Sequence, residues 1–239
     1  MTSSSDSRPA ALLPSPPRTP PAAVLWDMDG TLVDTEPHWM AAEHALVARH
    51  GGTWTHEDAL GLVGSDLLDA AAVLQQHGVD LPAQEIVELM LDEVVAGVRT
   101  SVIWQPGVRE LLAALREAGI PCALVTMSYR RFADAVLSHV PEGTFAVVVT
   151  GDDVERGKPH PEAYLRAARE LGVEPGDCVA IEDSPPGIAS AMAAGARTLG
   201  VEHMVPVAPL AGLSRATSLL GVGLAELGRL AAGEVLELG

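Results

Sequence analysis

The chain has 239 residues, 48% of them hydrophobic, and its 15 Lys and Arg against 32 Asp and Glu give a formal net charge of −17. This length allows one large core, or a core with a smaller insert, and no run reaches the roughly 18 apolar residues that are needed to span a membrane. The acidic balance disfavours nucleic acid and anionic membrane surfaces as partners, and a site for an anionic substrate would need a cation, basic side chains or helix N-termini.

The N-terminal segment and the two cysteines bear on the location of the protein. Residues 1–21 are rich in Ser, Pro and Ala and lack the unbroken apolar segment of a secretory signal, which predicts a disordered tail. Cys122 and Cys178 each fall early in an apolar run, which predicts buried, reduced side chains rather than a disulfide or a metal pair. Reduced cysteines favour a cytoplasmic protein.

The first predicted strand covers the apolar run 22–26 and ends in Asp27-Met28-Asp29-Gly30-Thr31. The carboxyl end of a buried parallel strand is where open α/β sheets bind their ligands. Two carboxylates placed there repel each other unless a cation or a shared proton compensates. A strand followed by an ordinary Asp-Gly turn would give the same letters, so the motif needs support from the rest of the chain.

The stretch from 37 to 100 is predicted to be entirely helical. Thr55 with Asp58 forms the pattern of a capping box, and Ser65 is a candidate N-cap for the next helix. Four helices without a strand, inserted after the first strand, indicate a separate helical cap domain over 37–100. The core would then comprise 22–36 and 101–239. The predicted cap helices cover 38–50, 57–62, 66–76 and 82–98.

After the insert, helices and strands alternate, which predicts a doubly wound parallel sheet with right-handed crossovers. The α/β fold class follows from this alternation. The predicted strands are 120–125, 145–149, 177–181 and 197–201, and the predicted helices are 108–118, 129–139, 161–171, 185–194 and 219–230.

Polar residues suited to phosphate chemistry follow four of the predicted strands. Because the carboxyl ends of parallel strands lie at one edge of the sheet, these residues can share a pocket. They are Asp27 and Asp29 after the first strand, Thr126 after the second, Lys158 in the loop after the third, and Glu182 with Asp183 after the fourth.

The motif at 27–31, Asp-x-Asp-Gly-Thr, resembles the first motif of the haloacid dehalogenase superfamily of hydrolases. Thr126 at its strand end matches the second motif, Arg-Gly-Lys-Pro-His-Pro at 156–161 the third, and Ile-Glu-Asp-Ser at 181–184 the fourth. The resemblance covers residues 24 to about 201. It is closest to the subfamily with an α-helical cap after the first motif, which contains phosphoglycolate phosphatase-like enzymes, sugar phosphatases and β-phosphoglucomutases.

The resemblance implies a phosphatase that forms an aspartyl-phosphate on a small phosphorylated metabolite. Asp27 would be the nucleophile, and Asp29 the general acid and base. Lys158 would pair with Asp27 and the phosphate, and Thr126 would donate its hydroxyl to a phosphoryl oxygen. The backbone N–H groups of Met28 and Met127 are further expected donors by resemblance.

The resemblance also implies a hard cation, Mg²⁺, held by oxygen ligands. It would neutralise Asp27 and Asp183, with the backbone carbonyl of Asp29 facing it. Glu182 is expected either to bind the cation through a water molecule or to contact the side chains that bind it. Oligomeric state is not predicted.

Two alternative branches of the superfamily are disfavoured by single residues. Dehalogenases carry a different residue at the position of Asp29, and phosphonate-cleaving members use a cap lysine, which 37–100 lacks. A β-phosphoglucomutase-like mutase stays open as the main alternative. It would need basic cap groups for a second phosphate, yet the stretch 63–68 has none, and Trp39 stands where those enzymes place a histidine.

Other functional classes fit less well. A phosphoryl-accepting receiver domain would be about half this length and would lack the helical insert. A silent binding protein would not be expected to retain every acid, Thr and Lys of the pattern. Outside that pattern, cap packing or a surface position is the favoured interpretation for Trp39, and shaping the substrate pocket is the alternative. Arg130 and Arg131 could reach the phosphate, but surface salt bridges are the favoured interpretation for both.

Overall fold

The fold is that of a computed structural model, which describes residues 20–62 and 67–239. In these residues, the strands are β1 (Ala23–Trp26), β2 (Val33–Asp34), β3 (Ile103–Trp104), β4 (Cys122–Val125), β5 (Val147–Val149), β6 (Cys178–Glu182), β7 (Arg197–Val201), β8 (Ser214–Ala216) and β9 (Glu237–Leu238). The helices are α1 (Glu36–Arg49), α2 (His56–Leu60), α3 (Leu67–Gln76), α4 (Ala83–Thr100), α5 (Val108–Glu117), α6 (Arg130–Leu137), α7 (Glu162–Leu171), α8 (Pro185–Ala193) and α9 (Leu224–Ala231).

A seven-stranded parallel sheet forms the core, in the order β5-β4-β1-β6-β7-β8-β9. Strand β1 lies between β4 and β6, and Val24 is in register with Cys122 on one side and Val179 on the other. The chain runs outward from β1 through β4 to β5 and then returns to β6, so the strand order reverses at β1. Ligands bind at such switch points. The predicted doubly wound α/β fold is confirmed.

The sheet is covered on both faces, which explains the unbroken apolar runs of its central strands. Alternate residues of β1 point to opposite faces. Val24 and Trp26 belong to one buried apolar cluster, and Ala23 and Leu25 belong to the other. Because both faces of β1 are buried, its polar residues come after its carboxyl end, beginning with Asp27.

The helices α1 to α4 lie between β2 and β3 and form the cap. The predicted capping box is confirmed, because the Thr55 side chain accepts from the backbone N–H of Asp58 and the Asp58 side chain accepts in return from that of Thr55. The proposed cap at Ser65 and the start of the third helix at Asp66 fall outside the described residues, as do residues 1–19 of the expected tail. The exact domain boundaries stay a prediction.

Short strands account for the main differences from the sequence-based expectation. The two-residue strands β2 and β3 pair antiparallel at the base of the cap, and β8 and β9 extend the sheet. None of the four was predicted, because two or three residues are too few to show a hydrophobic period. The last helix begins at Leu224 instead of residue 219, and Gly223 precedes it.

The two cysteines are free and buried, as predicted. A cytoplasmic location stays a prediction. Among the described residues, the helices are all too short or too polar to be membrane spans.

Candidate active site

Asp27 and Lys158 form a buried ion pair at the carboxyl end of β1. The Lys158 ammonium donates to Oδ1 of Asp27 at 2.6 Å, to Oε1 of Glu182 at 2.6 Å and to the carbonyl of Val125 at 2.9 Å. These three acceptors match the three protons of an ammonium group. The lysine is therefore fixed, and Asp27 is fixed with it, although the two residues are 131 positions apart in the chain.

Glu182 is a fully buried carboxylate whose oxygens both accept from protein donors. Oε1 accepts from Lys158 and from the hydroxyl of Tyr164 at 2.9 Å, and Oε2 accepts from the backbone of Asp183 and from the backbone and hydroxyl of Ser184. Gly187 makes room for it, since a Cβ there would overlap the carboxylate. Glu182 therefore orients Lys158 and the following loop.

Three hydroxyl groups surround the Asp29 carboxylate. Thr35 donates to Oδ1 at 2.8 Å, Ser128 donates to Oδ2 at 2.7 Å, and Thr126 lies 3.3 Å from Oδ2. Burial raises the pKa of Asp29, and the three hydrogen bonds oppose part of that rise. The hydroxyl of Thr126, expected to face a phosphoryl oxygen, here points to Asp29.

Asp183 completes a group of three carboxylates with Asp27 and Glu182, whose nearest oxygens lie within 4.8 Å of one another. Thr31 donates to Oδ1 of Asp183 at 3.0 Å. Gly30, with φ of +87°, brings the backbone against Oδ2 so closely that a Cβ would collide with it. The tight turn after β1 thus allows Asp183 to approach Asp27.

The charges of these three carboxylates favour the binding of a cation. Burial and the neighbouring Glu182 raise the pKa of Asp27 well above its usual range, despite the opposing effect of Lys158, and raise that of Asp183 to about 7. Three carboxylates thus share a single ammonium group. A divalent cation with hard oxygen ligands would compensate the excess negative charge. Asp27 and Asp183 are the residues best able to hold one, because both oxygens of Glu182 already accept from protein donors.

Met28 and Met127, the two residues expected to provide backbone donors, directly follow Asp27 and Thr126. Met28 follows Asp27 and has a buried side chain. The sulfur of Met127 accepts from the backbone N–H of Lys158 at 3.3 Å, so it helps to place the lysine loop. The structure therefore brings every residue of the sequence-based site to one edge of the sheet.

A cavity of about 550 Å³ opens above these residues and extends under the cap. Asp27, Asp29 and Lys158 form its floor, and Trp39 of α1 is one of its walls. Trp39 also packs edge-on against Phe132, with ring centroids 5.8 Å apart. Trp39 thus packs within the protein, as the favoured interpretation expects, and also lines the cavity; that it shapes a substrate pocket stays a prediction.

The two arginines after Thr126 are salt-bridged, as the favoured interpretation had it. Arg130 binds Asp153 at 2.6 Å and the carbonyl of Val148. Arg131 reaches across to the cap, where it binds Asp92 at 2.7 Å and Glu88 at 3.1 Å on α4.

Sequence reasoning missed four polar residues of the site: Thr31, Thr35, Ser128 and Tyr164. Ser128 had a usable signal, since it lies two residues after Thr126 at the same strand end. Tyr164 had none, because a tyrosine within a helix usually packs in the core. Only the fold brings its hydroxyl to Glu182.

A model of the haloacid dehalogenase-like hydrolase family matches residues 21–195. The chain belongs to this family. It is 34% identical over 191 residues to hexitol phosphatase A of Escherichia coli, an alignment that covers 74% of this chain and 81% of that protein. The phosphatase class of hydrolase that the motifs predict is confirmed.

Other members of the haloacid dehalogenase-like family are also similar. The chain is 31% identical over 195 residues to the bifunctional riboflavin kinase/FMN phosphatase of Arabidopsis thaliana, and it spans only 49% of that longer protein. The crystal structure of CbbY from Rhodobacter sphaeroides in complex with phosphate superposes with a TM-score of 0.75 at 30% identity, covering 87% of this chain and 99% of CbbY.

Proposed function

We propose that this protein is a Mg²⁺-dependent phosphatase that hydrolyses a small phosphomonoester through an aspartyl-phosphate on Asp27. Two carboxylates lie together on the floor of one cavity, and this placement is the main support for the proposal. Asp27 is held by Lys158, and Asp29 is hydrogen-bonded by hydroxyl groups. The first can attack phosphorus while the second transfers protons. The cavity of about 550 Å³ is large enough for a small sugar phosphate or a phosphoglycolate-like molecule.

The reaction divides into two displacements. In the first, a carboxylate oxygen of Asp27 forms a bond to phosphorus while the bond to the leaving oxygen breaks, and protonated Asp29 gives its proton to that oxygen. In the second, the Asp29 carboxylate takes a proton from water as the water oxygen attacks phosphorus. The Asp27–phosphorus bond then breaks, and inorganic phosphate and free Asp27 result.

Burial of Asp29 supports this proton transfer. A raised pKa favours the protonated form that the first step needs, and the three hydroxyl donors favour the carboxylate that the second step needs. The same donors hold the side chain in one orientation for both steps. Lys158 keeps Asp27 aligned and reduces its repulsion from the incoming phosphate.

Asp27, Asp183 and the backbone carbonyl of Asp29 are the groups that would hold Mg²⁺, with Glu182 orienting their surroundings. When bound, the ion would neutralise the charge on the phosphoryl oxygens and the nucleophile.

A sugar-phosphate mutase, the alternative, is less well supported. A mutase must hold a second phosphate, which calls for cationic cap residues. The cap stretch 37–100 contains no lysine and only two arginines, Arg49 and Arg99. Arg49 is bound to Glu93 on the surface of the cap, and among the described residues that line the cavity Lys158 is the one cation.

The test is phosphate release from a panel of phosphorylated metabolites, including a hexitol phosphate, phosphoglycolate and a sugar bisphosphate. We expect turnover with Mg²⁺, none with excess EDTA, and a loss of about 10⁴-fold or more in Asp27→Asn. Asp134→Asn, an exposed acid on α6, is the matched control and should behave as wild type. Turnover that survives in Asp27→Asn would contradict the proposed nucleophile, and conversion of one sugar monophosphate to another would favour the mutase.

A further inference from the structure

The cap wall of the cavity is apolar except for a few polar groups, and two of these are carboxylates. Leu74, Ile86 and Met90 are among its apolar residues, whereas Glu36 and Glu43 of α1 carry the acids. In the described part of the lining, the single cation is Lys158, and its three protons are already committed to Asp27, Glu182 and the Val125 carbonyl. The cap therefore offers acceptors to a ligand and no counter-charge for an anion.

Glu43 is the more deeply placed of the two acids. It is 5% exposed, and its Oε2 accepts from the indole N–H of Trp54 at 3.2 Å. Trp54 is itself buried and packs edge-on against His77, with centroids 4.8 Å apart. The second oxygen of Glu43 has no protein donor among the residues that the structure describes. A held carboxylate with one open oxygen is thus part of the cavity wall.

The position of Glu43 on α1 sets which part of a ligand it can meet. Thr35, which binds Asp29, immediately precedes α1, and Glu36, Trp39 and Glu43 lie along the face of α1 that lines the cavity. Glu43 is seven residues beyond Glu36, about 10 Å along the helix axis at 1.5 Å per residue. It can therefore contact a group that is remote from the reacting phosphorus.

A carboxylate in this position costs folding free energy. Burial raises the pKa of Glu43 to about 7, against the opposing hydrogen bond from Trp54. An apolar side chain would avoid this cost but would leave the buried N–H of Trp54 without its acceptor. That hydrogen bond uses only one of the two oxygens of Glu43, so it does not account for the second. Hydrogen-bond donors on a bound ligand would provide a partner for this second oxygen of Glu43.

We propose that Glu43, positioned by Trp54, determines substrate specificity by accepting hydrogen bonds from hydroxyl groups at the far end of a neutral, polyhydroxylated leaving group. This inference rests on the proposed phosphatase function and narrows its substrate class to polyol phosphates. A second phosphate or a carboxylate at the far end would meet Glu43 with like charge and would be disfavoured.

The test measures binding at pH 8, where Glu43 is ionised, and in the Asp27→Asn background, so that no substrate is consumed. The probes are glucitol 6-phosphate, fructose 1,6-bisphosphate and inorganic phosphate, and calorimetry gives Kd for each. We expect Glu43→Gln to weaken binding of glucitol 6-phosphate roughly 10-fold, since a neutral amide replaces the charged acceptor. Inorganic phosphate should bind unchanged, and the bisphosphate should bind more tightly. Trp54→Phe should weaken glucitol 6-phosphate by a smaller factor.

The matched control is Glu85→Gln, an exposed acid of α4, which should leave all three affinities unchanged. A uniform loss of affinity for the three probes in Glu43→Gln would assign the residue a structural role and overturn the proposal, and so would no change at all. Failure of the proposed function is a separate result. If the wild-type protein hydrolyses no phosphomonoester while the selective pattern of binding is found, the phosphatase mechanism is wrong and the role of Glu43 stands.

Discussion

The floor and the cap wall of the same cavity are built in opposite ways. On the floor, Lys158 has three acceptors, Glu182 has five donors and Asp29 has three hydroxyl groups around it. On the cap wall, Glu43 has a single donor within residues 20–62 and 67–239, and its neighbours there are mostly apolar. The protein itself supplies the hydrogen-bond partners of these floor side chains, whereas on the wall one oxygen of Glu43 has no donor among the described residues.

This difference separates the two tasks of the enzyme. Transfer of a phosphoryl group requires the same charges for every substrate, so a preorganised set of side chains can be fixed in the core. The leaving group differs between substrates, and an acceptor left open in the cap can select it. Loss of a floor residue should therefore reduce turnover of all substrates, whereas loss of a cap residue should change the preference among them.

The largest further effect should come from Asp29. We expect Asp29→Asn to lower kcat/KM by roughly 10²- to 10⁴-fold, because the general acid is lost. The loss should be greater for a hexitol phosphate than for 4-nitrophenyl phosphate, whose leaving group needs little protonation. Steady-state kinetics on both substrates measures the difference. Equal losses for the two would mean that Asp29 does not protonate the leaving oxygen and would break the assignment of chemistry to the floor.

A smaller effect should come from the Glu43 carboxylate on the cap wall, as a change in the free energy of unfolding with pH. The pKa of Glu43 is raised from 4.5 to about 7 on folding, so the folded state binds its proton more tightly than the unfolded state. The free energy of unfolding should therefore fall as pH rises from about 4.5 to about 7. Glutamine does not titrate, so Glu43→Gln should be more stable than wild type above pH 7, by roughly 1–3 kcal/mol.

Urea denaturation at pH 5 and pH 8 measures this difference. Glu85→Gln, whose carboxylate is exposed on α4, should show no such dependence on pH. If Glu43→Gln were no more stable than wild type at pH 8, the ionised Glu43 carboxylate would not lower the free energy of unfolding. The difference drawn between the floor and the cap wall would then be wrong.

The smallest effect should come from the contact that joins the two regions. Arg131 of the core binds Glu88 and Asp92 of the cap, and these ion pairs are partly exposed. We expect Arg131→Ala to raise KM about two- to fivefold with little change in kcat, since exposed pairs contribute little and closure of the cap is only weakened.

Arg49→Ala is the control for that experiment, because Arg49 binds Glu93 at 2.5 Å within the cap and does not reach the core. Its kinetics should match wild type. The same rise in KM for both variants would show that the cap loses stability as a whole, and the bridging contact would then have no separate role.

The floor could be predicted from the sequence more fully than the wall. Asp27, Asp29, Thr126, Lys158 and Asp183 each follow a recognisable strand or lie in a specific motif, and parallel strands bring such residues to one edge. Glu182 was placed correctly but its partners were not, because Tyr164 comes from a helix with no polar signal. The short strands β2, β3, β8 and β9 were also beyond prediction, since pairing with distant neighbours decides them.

The sequence by itself determined the family, the alternation that folds into a parallel sheet, and the chemistry at the ends of its strands, because these depend on local motifs and on short-range periodicity. Tertiary structure alone decided that Glu43 faces the cavity, that Trp54 holds it, and that Glu182 holds Lys158. The helical period of α1 shows which of its residues share a face, but only the packing of the cap on the core shows what each face contacts. For that reason the role proposed for Glu43 could be inferred only from the three-dimensional arrangement.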